Sequence, residues 1–218
     1  MEALASRRKF LIGAALTGLS VKAFAADQCG VFTPPQTQGP FYPGERNFGL
    51  DTDLTWVTGS RTRAKGEVLY VRGRVVDQNC RPIEGANVEI WQACASGKYN
   101  SSRDPNPATL DPNFKYWAET FTNKNGEYMF KTIRPGAYPA AQNWDRPPHI
   151  HFKVTKLGFH ELITQMYFEG EVLNDSDNII LDLPRAERES VIVPFNPSPT
   201  DFEPGTKTGS FEVKLRPV

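Results

Sequence analysis

From residue 67 onward, apolar side chains recur at every second position in short runs, and each run is bounded by turn-forming residues. That period belongs to strands with one face in a core. It predicts strands over 68–77, 86–93, 116–122, 127–133, 149–156, 162–168, 190–195 and 210–216. Val88 and Ile90 point inward in the second run. In the fifth, Ile150, Phe152 and Val154 share one face, which leaves His149 and His151 together on the other. Asn123-Lys124-Asn125-Gly126 separates two runs, and Asn-Gly is a strong hairpin signal. Residues 100–115 are rich in Pro, Asn and Asp and predict a surface excursion, while 184–190 predict one brief helical turn. Short strands at this spacing, with no long helical period, predict an all-β chain: a β-sandwich of antiparallel strands with long loops.

The periodicity stops upstream. Residues 27–65, with Pro34-Pro35 and Thr37-Gln38-Gly39-Pro40-Phe41-Tyr42-Pro43, read as an N-terminal arm. An arm of that length must wrap the core or a partner, because long structureless loops are uncommon in compact proteins. Residues 1–26 form a third region. Arg7-Arg8-Lys9 precedes an apolar run from 12 to 21 and then Ala23-Phe24-Ala25, the pattern of a signal peptide, here of twin-arginine type. The apolar run is too short for a comfortable membrane span. The expectation is an exported protein, periplasmic or secreted, with no membrane anchor once the leader is removed and a sandwich domain over 66–218.

Charge adds mainly an exclusion. The chain has 25 basic and 25 acidic residues and no long basic run, so nothing points to a nucleic-acid partner. Seventeen glycines and 18 prolines suit many tight turns. Of Cys29, Cys80 and Cys94, one pair can bridge in an oxidising compartment and leave one thiol over; the spacing matches no zinc motif and does not say which pair.

The chemistry gathers around Arg146-Pro147-Pro148-His149-Ile150-His151-Phe152, which holds two of the three histidines. Two imidazoles one strand repeat apart can share a metal ion, but two do not complete a site. His160 belongs to the turn after the strand, and no later histidine supplies a cupin-like set. Tyrosines at strand-to-loop exits are the remaining candidates: Tyr99 after Ser96-Gly97-Lys98, and Tyr138 after Pro135-Gly136-Ala137.

At this point several segments together resemble the intradiol ring-cleaving dioxygenases. They are Thr37-Gln38-Gly39-Pro40-Phe41-Tyr42; Gly73-Arg74-Val75-Val76-Asp77; Gly85-Ala86-Asn87-Val88-Glu89-Ile90-Trp91-Gln92 running into Gly97-Lys98-Tyr99; Pro135-Gly136-Ala137-Tyr138-Pro139; and the Arg146 to Phe152 segment. The resemblance implies that Tyr99, Tyr138, His149 and His151 ligate one mononuclear non-haem Fe(III). Phenolate is a hard anionic donor, which suits the ferric ion. The resemblance further implies a catechol-type substrate and O2. Tyr138 would leave the metal and take a substrate proton while Tyr99 stays bound, and oxygen would enter between the two hydroxylated carbons to give a cis,cis-muconate. Arg146 would stabilise developing negative charge. Gln165 would be a second polar group near the substrate, with Trp144 and Tyr42 as candidate pocket walls. Some members of the family build each site from two subunits, so the oligomeric state is left open. A second resemblance, carried by Gly73 to Ala86, Gly126-Glu127-Tyr128 and Pro135-Gly136-Ala137-Tyr138, is to non-catalytic carboxypeptidase-regulatory or transthyretin-like binding sandwiches. Those modules need neither Tyr99 nor the Arg-x-x-His-x-His segment.

Overall fold

Alternation along residues 149–155 decides how the two main sheets face one another. The computed structural model describes residues 30–44 and 50–218; the leader expected over 1–26, residues 27–29 with Cys29, and 45–49 of the arm lie outside the described residues. The strands are β1 (Val68–Val76), β2 (Asn87–Trp91), β3 (Trp117–Phe121), β4 (Glu127–Ile133), β5 (Tyr138–Ala141), β6 (Trp144–Arg146), β7 (His149–Thr155), β8 (Leu162–Phe168), β9 (Ile192–Val193), β10 (Phe195–Pro197), β11 (Lys207–Ser210) and β12 (Val213–Lys214). One sheet runs β10-β11-β1-β12 with β4 on β1, the other runs β3-β2-β7-β8-β9, and β5 and β6 form a separate ribbon. Ile150, Phe152 and Val154 of β7 meet Val71 of β1 and Phe130 of β4 in the buried core between the sheets. The expected sandwich is present.

The β5–β6 ribbon is not among the strands expected from the sequence. The strand expected over 190–195 is the end of a helix followed by β9 and the start of β10, and that over 210–216 is reduced to the end of β11 and β12. Two further differences concern topology. Both main sheets are mixed rather than wholly antiparallel, because β1 pairs in parallel with β11 and β12, and β8 with β9. Parallel neighbours need a long crossover. Residues 169–191 supply one between β8 and β9, with a 3-10 turn (Val172–Asp175), α1 (Asn178–Leu181) and α2 (Arg185–Val191). The helical turn expected at 184–190 corresponds to α2. The Asn123 to Gly126 turn does close, with Asn123 N donating to Glu127 O at 3.1 Å, but β3 and β4 then part into different sheets. Ala118 and Phe130 must enter one core from opposite sides, and a flat hairpin would not let them.

The arm wraps the sandwich, as its length required. Gln36 N donates to Ile163 O at 2.8 Å, and the Gln36 amide reaches Thr164 Oγ1 and Gln165 O at 3.0 and 2.9 Å. Farther on, Leu54 is buried in the core and its N–H pairs with Lys131 O. Cys80 is disulfide-bonded, whereas Cys94 is a free, buried thiol. Among the described residues, no helix is long and apolar enough to cross a membrane.

The loops that leave β2 and β4 are stitched to one another. Gly97 N and Gly136 N both donate to Cys94 O, at 2.9 and 3.0 Å. Gly97 has φ +81°, and a Cβ there would lie 2.2 Å from Ala137 O; a Cβ on Gly136 would lie 2.5 Å from Ala95 O. Each glycine thus permits a backbone approach that any side chain would block. Gly158 also has a positive φ, +88°, but faces open space. Gly158→Ala should therefore cost about 1 kcal/mol from backbone strain alone. Gly97→Ala adds a steric clash and should cost roughly 2–4 kcal/mol. Denaturant midpoints of the two variants measure the difference.

Candidate metal centre

The outer face of β7 and its neighbours carries the site, not the space between the sheets. Register places His149 opposite Tyr167 and His151 opposite Gln165 on β8, with Trp91 of β2 on the other side of His151. Trp91 stacks on the His151 ring at 4.7 Å and 6°. The stitched loops deliver the tyrosines to the same face. Tyr99 Oη lies 3.3 Å from His149 Nε2, and the Tyr99 and Tyr138 rings meet edge to face at 5.5 Å. Tyr138 packs 5.7 Å from His149, and the two imidazoles are 4.9 Å apart at 75°. The four side chains expected from the sequence are thus brought together and buried.

Each is held from outside. The carboxylate of Asp104 accepts from Tyr99 N at 2.7 Å, and Asn106 Nδ2 donates to Gly97 O at 3.0 Å, so the Tyr99 loop has a defined shape. His149 Nδ1 lies 2.7 Å from Pro147 O. A carbonyl can only accept, so Nδ1 carries the proton and the Nε2 lone pair faces Tyr99. His151 Nδ1 is buried without a protein partner. Gly39 of the arm rests against the same ring, where a Cβ would come within 3.5 Å of Cε1. Phe41 covers both tyrosines, 4.7 Å from Tyr99 and 6.2 Å from Tyr138. Tyr42 meets Trp91 edge to face at 4.9 Å and donates to Glu89 at 2.8 Å.

Arg146, on β6 opposite Tyr138, is buried against the same cluster. Its Nε donates to Asp177 Oδ2 at 2.7 Å, and Nη2 reaches Gln165 Oε1 at 2.8 Å and Tyr167 Oη at 3.2 Å. Gln165 is held in turn by the arm, donating from Nε2 to Thr37 O at 2.9 Å. Trp144 lies beside Arg146, its ring 5.8 Å from the guanidinium. His160 is exposed at the turn between β7 and β8, the far end of β7 from His149. Trp91, Tyr167, Gln36 and Asp177 escaped sequence reasoning. Only Asp177 left a signal: an Asp ahead of Ile179-Ile180-Leu181 is a helix N-cap pattern, and its Oδ1 does accept from Ile180 N at 3.0 Å.

Among the described residues, no three His, Cys, Asp or Glu side chains converge on a metal position. A metal here therefore needs the phenol oxygens, and two phenols with two imidazoles make a donor set suited to a hard, high-valent ion. The His149 lone pair directed at Tyr99 Oη, only 3.3 Å away, fits two donors converging on one ion. The 620 Å³ cleft lined by Arg72, Phe121 and Tyr128 shares none of these residues and holds no imidazole.

Burial sets the ionisation of the metal-free cluster. It pushes the Tyr99 phenol well up, reinforced by Tyr138; it also raises Tyr138, but the Arg146 charge offsets part of that rise. Burial holds both imidazoles well below their usual range, and Arg146 adds to the effect; His151 further lowers His149. The native metal-free protein therefore keeps both rings neutral where the unfolded chain, with imidazoles near their ordinary pKa of about 6.5, binds protons. Stability rises with pH wherever the unfolded state holds more protons. Metal-free protein should accordingly lose stability as pH falls below about 6.5, approaching an uptake of about two protons per molecule on unfolding from these two residues. Chemical denaturation between pH 5 and 8 checks the slope. A His149→Asn, His151→Asn double variant should lose that part of it.

Comparison with known proteins identifies the family. The family described as Dioxygenase matches residues 37–216. The chain is 40% identical over 182 residues to the protocatechuate 3,4-dioxygenase beta chain of Burkholderia cepacia, covering 81% of this chain and 76% of that one. It is 30% identical over 159 residues to catechol 1,2-dioxygenase of Candida albicans, covering 67% of this chain and 49% of that protein. Among solved structures it resembles the dioxygenase domain of a dioxygenase carbohydrate-binding fusion from Streptomyces sp. SirexAA-E. That match has a TM-score of 0.65 and 28% identity, over 86% of this chain and 100% of that one. The fold is also that of the intradiol ring-cleavage dioxygenase from Tetranychus urticae, with a TM-score of 0.67 and 24% identity over 86% of this chain and 96% of that one. With a family match spanning nearly all of the described sandwich, the chain belongs to the intradiol ring-cleavage dioxygenase family.

Proposed function

We propose that this protein is an Fe(III)-dependent dioxygenase that opens a catechol-type ring with O2, between its two hydroxylated carbons, to a cis,cis-muconate-type product. The observation that carries the reading is the convergence of Tyr99, Tyr138, His149 and His151 on one buried face, with Tyr99 Oη 3.3 Å from His149 Nε2. Bound there, ferric iron would supply the Lewis acidity and the electron path between catecholate and O2 that an all-organic site lacks.

The remaining work falls to side chains. Tyr99, His149 and His151 would hold the ion. Their rigidity comes from Asp104 on the Tyr99 backbone, Pro147 on His149 and Trp91 on His151. A phenol that burial holds neutral without metal becomes a phenolate beside a trivalent cation, because the cation's charge reverses the local pKa balance. Tyr138 would be the fourth donor: its hydroxyl end is next to Arg146, and its oxygen is placed to accept a proton from a catechol. Arg146 would stabilise negative charge on the oxygens of a bound catechol. Gln165, fixed between Arg146 and Thr37 O, orients the substrate edge. Phe41 and Tyr42 hold water off the tyrosine side. The same proposal includes export to the periplasm or beyond, supported by the Arg7-Arg8 leader pattern.

Iron-loaded protein should be red-brown from tyrosinate-to-iron charge transfer. It should consume O2 with at least one of catechol, protocatechuate and hydroxyquinol, giving a ring-opened diacid identifiable by mass spectrometry. Tyr138→Phe removes a ligand and a proton acceptor; it should weaken the visible band and lower kcat by about 10²-fold or more. A colourless protein that takes up no iron, or one whose Tyr138→Phe variant is indistinguishable from the parent, would exclude the assignment.

A further inference from the structure

Asp177 has no place in the chemistry above, yet it is the partner on which Arg146 turns. Its side chain is fully buried, and both oxygens are engaged: Oδ2 accepts from Arg146 Nε at 2.7 Å and Oδ1 from Ile180 N at 3.0 Å. A carboxylate fixed at both oxygens cannot rotate. Arg146 is therefore held at Nε, and its planar guanidinium cannot swing freely about that bond. Its Nη2 is thereby directed at Gln165 Oε1 and Tyr167 Oη, at 2.8 and 3.2 Å. Those two groups carry the orientation onward to the arm, through Thr37 O at 2.9 Å and Gln36 Oε1 at 2.8 Å. Asp177 also supplies a compensating negative charge to a cation buried beside Tyr138.

We propose that Asp177 is a positioning residue of this site, setting the direction of Arg146 and the share of its charge that reaches the substrate. The inference rests on the dioxygenase reading and deepens it. The competing role is purely local: Asp177 caps the four-residue α1, and its loss would loosen residues 169–183 without touching chemistry. The two roles separate because Asn at this position still accepts from Ile180 N but presents no charge to the guanidinium.

The test is a double-mutant cycle of Asp177→Asn and Arg146→Gln in iron-loaded, full-length protein. It is read by kcat and KM, by the tyrosinate-to-iron absorption band, by optical titration with catechol, and by thermal unfolding. Asp177→Asn should lower kcat about 10–100-fold with KM changed only a few-fold, and should shift the band through the altered charge beside Tyr138. Asp177→Glu, which keeps the charge, should recover part of the lost kcat. In the Arg146→Gln background the same Asn substitution should change neither kcat, nor the band, nor the catechol dissociation constant. Multiplicative effects across the cycle would overturn the proposal, as would a kcat loss that merely follows the loss of folded protein. If Asp177→Asn alone does not fold, the doubly substituted protein leaves no unpaired charge at the pair. Its comparison with Arg146→Gln then decides, because any difference between them in band or catechol affinity counts against action through Arg146. A parent protein that binds no iron and consumes no diol would fail the dioxygenase reading, whereas an active parent with an additive cycle fails this inference alone.

Discussion

A sheet face crowded with imidazole, amide and phenol groups can be buried only if each polar atom finds a partner, and most of this structure follows from meeting that demand. The outer face of β7 and β8 carries His149, His151, Gln165 and Tyr167. Leaving such groups dry and unpaired would cost several kcal/mol in total. The arm, the Tyr99 loop, the β5–β6 ribbon and the crossover after β8 are all drawn over this face. Specific partners come with them: Thr37 O for Gln165 and Gln36 for Tyr167 from the arm, Pro147 O for His149 from the link into β7, and Asp177 for Arg146 from the crossover. Against that background the His151 Nδ1 that lacks a protein partner stands out.

Electrostatics within the cluster follows the same logic. A guanidinium buried alone would be costly; burial, with the Arg146 charge adding to it, holds both imidazoles below their usual range. Paired with Asp177, the guanidinium can remain close to Tyr138 without dominating the whole face. The metal-free cluster is then a neutral set of donors with one compensated ion pair. If iron binds as proposed, two phenolates would offset much of its charge in this buried setting.

Much of this was legible in the chain. Period-two alternation placed His149 and His151 on one face and Ile150, Phe152 and Val154 on the other, as β7 has them. Glycines before Tyr99 and Tyr138 marked the turns that now let two loops touch backbone to backbone. The β5–β6 ribbon was not legible. It is short, contains Pro139, and turns through Asn143 at φ +61° with no alternation to announce it. The parting of β3 from β4 was hidden as well, since a turn signal says that the chain reverses but not which sheet receives the returning strand.

The sequence by itself determined most strands of the two main sheets, the two faces of β7 and the presence of an arm, because those depend on local period, turn chemistry and residue type. Only the tertiary structure decided that His149, His151, Tyr99 and Tyr138 gather outside the sandwich core rather than within it, and that the arm packs against them. The partners of Arg146 were decided there too. Asp177, Gln165 and Tyr167 come from a helix cap and a neighbouring strand at separations of 31, 19 and 21 residues. No local period couples positions so far apart; the register of β7 on β8 and the path of the crossover bring them together.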